Sequence, residues 1–129
     1  QPSEDRHRRM SEVVGVGIDL VDVARFTRVL ERRPALHQRL FTEGERTAAR
    51  TERLAARFAA KEAVMKALGV GLGAMALRDI EVVNQKGGAP AVLLHGRAAE
   101  IAMERGVRQW HLSLTHTDLS AGAVVIASS

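Results

Sequence analysis

Thr51-Glu52-Arg53-Leu54-Ala55-Ala56-Arg57-Phe58-Ala59-Ala60-Lys61-Glu62-Ala63-Val64-Met65-Lys66-Ala67-Leu68 is followed at once by Gly69. Leu, Ala, Arg, Glu, Lys and Met are strong helix formers, and glycine most easily takes the left-handed turn beyond a helix end. The stretch predicts one long helix over 51–68, with Leu54, Phe58, Met65 and Leu68 as its apolar stripe. Everything on either side is shorter. Upstream, Val13-Val14-Gly15-Val16-Gly17-Ile18 reads as a β-branched strand, and its two glycines predict a close backbone neighbour or a bend. Asp22 is an N-cap for a helix from Val23 to about Arg33, closed by Pro34. A short helix over Ala35–Leu40 follows, and Thr42-Glu43-Gly44-Glu45 has capping-box spacing before further helix. Downstream of a Gly69, Gly71, Gly73 loop, Arg78–Asn84 and Ala91–His95 read as strands about a Gln85–Gly88 turn. Arg97–Arg105 is an amphipathic helix ended by Gly106, and Trp110–His116 with Gly122–Ala127 forms a hairpin around Thr117–Ser120. Strand, three helices, two strands, helix, two strands is the order of an α+β fold with a mainly antiparallel sheet.

The chain has 129 residues, which bounds it to one domain, expected over 12–129. Residues 1–11 mix charges with Pro and Ser and read as a disordered arm, with Met10 a candidate original start. Hydrophobic residues at 46% and charged residues at 26% exclude wholesale disorder. No apolar run is long enough for a membrane span, and no signal peptide is visible. The absence of cysteine removes disulfides, thiolate metal sites and cysteine nucleophiles, and suits a cytoplasmic setting. Net charge is +4, and the excess is local: Arg25–Lys66 holds eleven basic and five acidic residues. Such a region attracts an anionic partner. With only Phe26, Phe41, Phe58 and Trp110 as aromatics, few rings are left to stack nucleic-acid bases.

Several side chains are candidates for chemistry, each with a plainer alternative. Asp19 is a lone carboxylate at the end of an apolar strand, where caps and turn residues also occur. Glu62 and Lys66 have the spacing of a surface ion pair on a helix. Two carboxylates from separate elements, with phosphates and water completing the shell, are also how Mg²⁺ is commonly held. Asp19 and Glu62 suit that role if the fold joins them. His116 ends an apolar strand before a turn, so it either caps the turn or faces a site. Gly69, Gly71 and Gly73 follow their helix, whereas phosphate-binding fingerprints precede one, which leaves a hinge or a phosphate-lining loop.

Four ordered segments together resemble one family, the holo-[acyl-carrier-protein] synthases, which are small stand-alone 4′-phosphopantetheinyl transferases. Gly15-Val16-Gly17-Ile18-Asp19-Leu20-Val21 resembles its N-terminal strand, and Arg57 through Gly69 its R-[FW]-[AS]-x-K-E-A-x-x-K-A helix. Asp79-Ile80-Glu81-Val82, ahead of a Gly-Gly turn and Pro90, resembles a third segment, and Ser113-Leu114-Thr115-His116-Thr117 the closing strand. Thr115 replaces the commoner serine, and the Thr117–Ser120 turn lacks an aromatic often found just after it.

The resemblance implies the 4′-phosphopantetheinyl transferase fold, with a long helix packed on the antiparallel sheet, assembled as a homotrimer whose active sites use two chains. It implies transfer of the phosphopantetheine arm of coenzyme A to a serine of apo acyl carrier protein, releasing adenosine 3′,5′-bisphosphate, in support of fatty acid or polyketide biosynthesis. It further implies Mg²⁺ on Asp19 and Glu62, with Lys66 meeting the phosphates and His116 at the nucleotide or metal shell. The base is either Glu62 or a water at the metal. Arg57, Lys66, Gly69, Gly71 and His116 count as expected coenzyme A contacts. Arg46, Arg50 and Arg53 join Arg57 as candidates for the 3′-phosphate, Arg57 alone lying in a matched segment. Arg25 falls at the family's docking position for the acidic carrier; Arg28 and Arg32 share its helix face and extend that surface. Neither nucleic acid nor a membrane is an expected partner. A basic nucleic-acid-binding module and an inactive scaffold are the rival readings, told apart from a transferase by random-DNA binding and by the mass of a treated carrier.

Overall fold

The computed structural model describes residues 12–129, so the arm expected over 1–11 lies outside the described residues. In chain order the elements are β1 (Val13–Asp22), α1 (Val23–Arg32), α2 (Leu36–Leu40), α3 (Glu43–Ala48), α4 (Thr51–Leu68), a 3-10 turn (Leu77–Asp79), β2 (Ile80–Asn84), β3 (Pro90–Leu94), α5 (Gly96–Glu104), β4 (Gln109–His116) and β5 (Ser120–Ser128). β5 is the centre of a three-stranded antiparallel sheet ordered β1-β5-β4, and β2 and β3 form a separate two-stranded ribbon. The α+β class and the antiparallel pairing are as the element order predicts.

The position of α4 follows from what β1 lacks. A β-carbon on Gly15 would lie 1.8 Å from the Ala67 carbonyl oxygen, and one on Gly17 would lie 1.8 Å from that of Ala63. Two glycines on the strand and alanines on the helix let the two backbones touch. The inner face of β5 is built for the same approach, with Ala121, Ala123, Val125 and Ala127 all buried. α4 ends where expected: Gly69 has φ +70°, and its N–H returns to the Lys66 carbonyl at 3.0 Å. An Arg105 guanidinium from the end of α5 also donates to the Leu68 carbonyl.

Three expectations change. The apolar surface of α4 is much wider than a four-residue stripe, because Ala55, Ala56, Ala59, Ala60, Ala63, Val64 and Ala67 are buried as well. The helix is enclosed by the sheet and β2 on one side and by α1 and α2 on the other, the latter through a cluster of Phe26, Phe41 and Leu54. Four helices rather than three precede β2, because the stretch opened by Thr42 stops before α4 begins, with Ala49 (φ −135°, ψ 142°) and Arg50 (φ −76°, ψ 169°) extended between them. β1 runs on to Asp22, because β5 keeps pairing with it as far as Asp22↔Ser120. Asp19 therefore sits within the strand, not at its end.

The outer face of the three-stranded sheet is apolar and open. Val16, Ile18 and Leu20 of β1 are 58%, 61% and 73% exposed, and Ile18 pairs with Val124, itself 40% exposed.

Candidate active site

Strand alternation sends Asp19 to the same side of β1 as Gly15 and Gly17, toward α4. There the Lys66 ammonium donates to Asp19 Oδ1 at 3.1 Å and to the Ile18 carbonyl at 2.9 Å. Glu62 lies one turn before Lys66 on the same ridge of α4. Burial first, and then the charge of Asp19, push the Glu62 carboxyl above the usual carboxylate range, while Lys66 pulls it back. The fold thus joins the strand carboxylate and the helix carboxylate, with a cation beside them.

This cluster opens onto a groove of about 660 Å³ whose walls include Asp19, Arg25, Phe26, Phe58, Glu62 and Leu72. Arg25 reaches it because Asp22 caps α1, accepting the Arg25 N–H at 3.0 Å, and so starts that helix beside Asp19. Arg28 and Arg32 are exposed on α1 and are not among the groove's lining residues, while Val23, Phe26 and Leu30 turn inward. Of the glycine loop, Leu72 lines the groove; Gly69 serves as the helix terminator and Gly71 has open space around it.

His116 and Arg57 stand elsewhere. Arg53, Arg57, Asn84, Pro90, Ser113 and His116 border a polar pocket of about 430 Å³, and Arg50, Arg53, His116 and Thr117 border its neighbour. Neither shares a lining residue with the carboxylate groove. Helix geometry explains the separation: Arg53 and Glu62 are about two and a half turns apart and face opposite ways. Arg53, Arg57 and Lys61 form one ridge, and Phe58, Glu62 and Lys66 another. Arg57 is 5% exposed, and one of its guanidinium nitrogens donates to the Glu45 carbonyl at 3.3 Å. Arg46 borders neither pocket.

Two features escape a residue-by-residue reading. Asn84, on the β2–β3 ribbon, joins Arg53 and His116 only through folding. Lys61 is fully buried and paired with Glu45 at 2.8 Å, although its place before Glu62 suggests a solvated charge. The available signal was Lys61 itself, in register with Arg57 on a helix whose neighbouring residues are alanines.

The donor set fits a hard divalent cation. Two carboxylates approach from separate elements, and the burial and the Asp19 repulsion that together raise Glu62 are both of the kind a cation relieves. Among the described residues no group of three or more His, Cys, Asp or Glu could hold a metal. A cation here therefore needs ligands beyond Asp19 and Glu62.

The sequence profile of the 4′-phosphopantetheinyl transferase superfamily matches residues 15–123. A holo-[acyl-carrier-protein] synthase of Frankia alni is 52% identical over 117 residues, 91% of this chain and 98% of its own. The Bacillus anthracis holo-(acyl-carrier-protein) synthase in complex with CoA (3′,5′-ADP) superposes with a TM-score of 0.75 at 33% identity, covering 93% of this chain and 99% of that one. The Helicobacter pylori holo-[acyl-carrier-protein] synthase in complex with coenzyme A gives 0.78 at 28% identity, covering 87% and 98%. The fold is that of a small α+β protein, and the chain belongs to the 4′-phosphopantetheinyl transferase superfamily. Its similarity within that superfamily is to the holo-[acyl-carrier-protein] synthases.

Proposed function

We propose that this protein is a holo-[acyl-carrier-protein] synthase, moving the 4′-phosphopantetheine of coenzyme A to a serine of apo acyl carrier protein. The serine oxygen gives up its proton to Glu62 or to a water and bonds to the pantetheine-bearing phosphorus, the pyrophosphate P–O bond breaks, and adenosine 3′,5′-bisphosphate leaves. The observation that carries this reading is Asp19, Glu62 and Lys66 gathered at the wall of an apolar groove. Asp19 and Glu62 would hold Mg²⁺, which offsets charge growing on the phosphate oxygens. Lys66, 54% exposed at its side chain, is free to swing from Asp19 to the same phosphates. Developing negative charge meets fixed positive charge, the usual largest contribution to such a reaction.

Coenzyme A's nucleotide end is assigned to the polar pocket of Arg53, Arg57, Asn84 and His116, and the acidic carrier to α1 through Arg25. Because that pocket and the carboxylate groove open on opposite sides of α4, one copy supplies the two halves to different sites. The open apolar face of Val16, Ile18, Leu20 and Val124 supports the same conclusion, a homotrimer with sites between copies. The cytoplasm, and supply of fatty acid or polyketide biosynthesis, complete the assignment. No helix among the described residues is long and apolar enough to cross a membrane.

The test incubates the protein with coenzyme A, Mg²⁺ and an apo carrier protein, then weighs the intact carrier. A gain equal to phosphopantetheine is the expected result; an unchanged carrier at high enzyme overturns the assignment.

A further inference from the structure

Glu45 and Lys61 form a fully buried ion pair that the reaction does not use. The Lys61 ammonium donates to Glu45 Oε1 at 2.8 Å, to the Leu77 carbonyl at 3.1 Å and to the Ile80 carbonyl, so all three of its donors are engaged. It also lies 5.3 Å from the centre of the Phe41 ring. Glu45 is equally occupied: Oε1 accepts the Thr42 N–H at 3.0 Å and Oε2 the Val82 N–H at 3.0 Å. Its backbone carbonyl accepts from Arg57. One residue thus touches the cap of α3, the middle of α4 and the centre of β2.

Those three attachments lead to one place. Arg57 borders the polar pocket directly, Val82 lies two residues before Asn84 in the same pocket, and α3 leads into Arg50 and Arg53. A second layer follows outward, where Thr42 Oγ1 donates to Glu81 at 2.8 Å and His95 hydrogen-bonds the other Glu81 oxygen at 2.9 Å. Stability alone is a poor reason for such a pair, since apolar residues of similar volume commonly serve as well. Its directional bonds do what apolar packing cannot: they fix the distance and orientation between α3, α4 and the β2–β3 ribbon.

We propose that the buried Glu45–Lys61 pair is a positioning device for the nucleotide side of the reaction, holding Arg57 and Asn84 in register with Arg53 and His116. This rests on the assignment of that pocket to coenzyme A's nucleotide end. Neither residue touches substrate, so both act through the groups they hold.

The test measures KM for coenzyme A, KM for the carrier, and kcat, with far-UV circular dichroism showing that each variant is folded. Glu45→Gln keeps the shape but leaves the lysine cation without its counter-charge. Glu45→Gln combined with Lys61→Met removes both charges of the pair. In the folded double variant KM for coenzyme A rises about tenfold, the worth of one charge-assisted hydrogen bond, while carrier KM and kcat stay within about twofold. A purely structural role lowers the melting temperature and leaves the two KM values in their original ratio, and that result overturns the inference. Asn84→Ala and Arg53→Ala are measured alongside. If these raise KM for coenzyme A and the double variant does not, positioning is wrong and the pocket assignment stands. If they too leave it unchanged, the pocket assignment itself fails and the inference falls with it.

Discussion

The Ala63 carbonyl oxygen occupies the space that a β-carbon on Gly17 would need, 1.8 Å from where that carbon would stand. β1 and α4 therefore meet backbone to backbone, and Glu62, the residue before Ala63, is held beside Asp19 by that contact. Gly17→Ala must force strand and helix apart. The expected cost is about 2–3 kcal/mol or more, measured by urea unfolding. Transfer activity falls with it even at temperatures where the variant stays folded, because the two carboxylates separate. A Gly17→Ala protein with normal stability would show that the helix can shift freely along the sheet.

Glu62 gives a pH signature without any assay of transfer. Its carboxyl is raised in the folded protein, so the native state holds a proton that the unfolded state has lost. Metal-free stability accordingly declines as pH climbs from the ordinary glutamate pKa through the raised one. Glu62→Gln removes that decline and melts higher than the parent at neutral pH, with the gap closing in acid. Asp19→Ala also narrows the gap, by removing the like charge. Thermal melts from pH 4 to 8 without divalent cation read this out, while both variants lose phosphopantetheine transfer.

Carrier docking predicts a graded response along α1. Arg25 borders the groove beside Asp19, while Arg28 and Arg32 are exposed outside its lining. Arg25→Glu is expected to raise carrier KM about tenfold at low salt, leaving coenzyme A KM nearly unchanged. Arg28→Glu and Arg32→Glu act more weakly, and added salt reduces all three effects. Equal loss toward both substrates would remove α1 as the docking helix.

Assembly is tested on the open sheet face. The side chain of Ile18 points away from α4 and pairs across with Val124. If the parent assembles as the proposed trimer, Ile18→Glu should yield a folded monomer in light scattering, and its transfer rate should drop at least about a hundredfold. A monomeric parent with full activity would show that one copy suffices.

Much of this was legible in the residues. The long helix and its glycine stop follow from local preference, because Ala and Leu are among the strongest helix formers. The glycines of β1 announced the close neighbour, though not which helix. The Thr42–Glu45 capping box is present with both hydrogen bonds, 3.2 Å to the Glu45 N–H and 3.0 Å back. What the same box concealed is that Glu45 has a second task, because Lys61 reaches it across sixteen residues of chain. β1 outran its expected end because its partner, β5, lies about a hundred residues away, and pairing carries a strand through Asp19 and Asp22 against their own preferences. The candidate site read as one cluster, yet Arg57 and His116 lie apart from Glu62. The two ridges of α4 could have been drawn on a helical wheel; which surfaces they face depends on β2, β4 and α1 all closing around the helix.

A helix that carries half a site on each flank changes how damage is inherited in a mixed population. In the proposed trimer, an Asp19→Ala copy is blind on one flank and an Arg53→Ala copy on the other. Asp19→Ala alone makes a dead assembly, and Arg53→Ala alone one that is weak at low coenzyme A. Mixed at random, about one site in four pairs a sound carboxylate flank with a sound arginine flank. The two variants, unfolded and refolded together, should therefore show activity at low coenzyme A that neither has alone, a complementation test that needs no further structure.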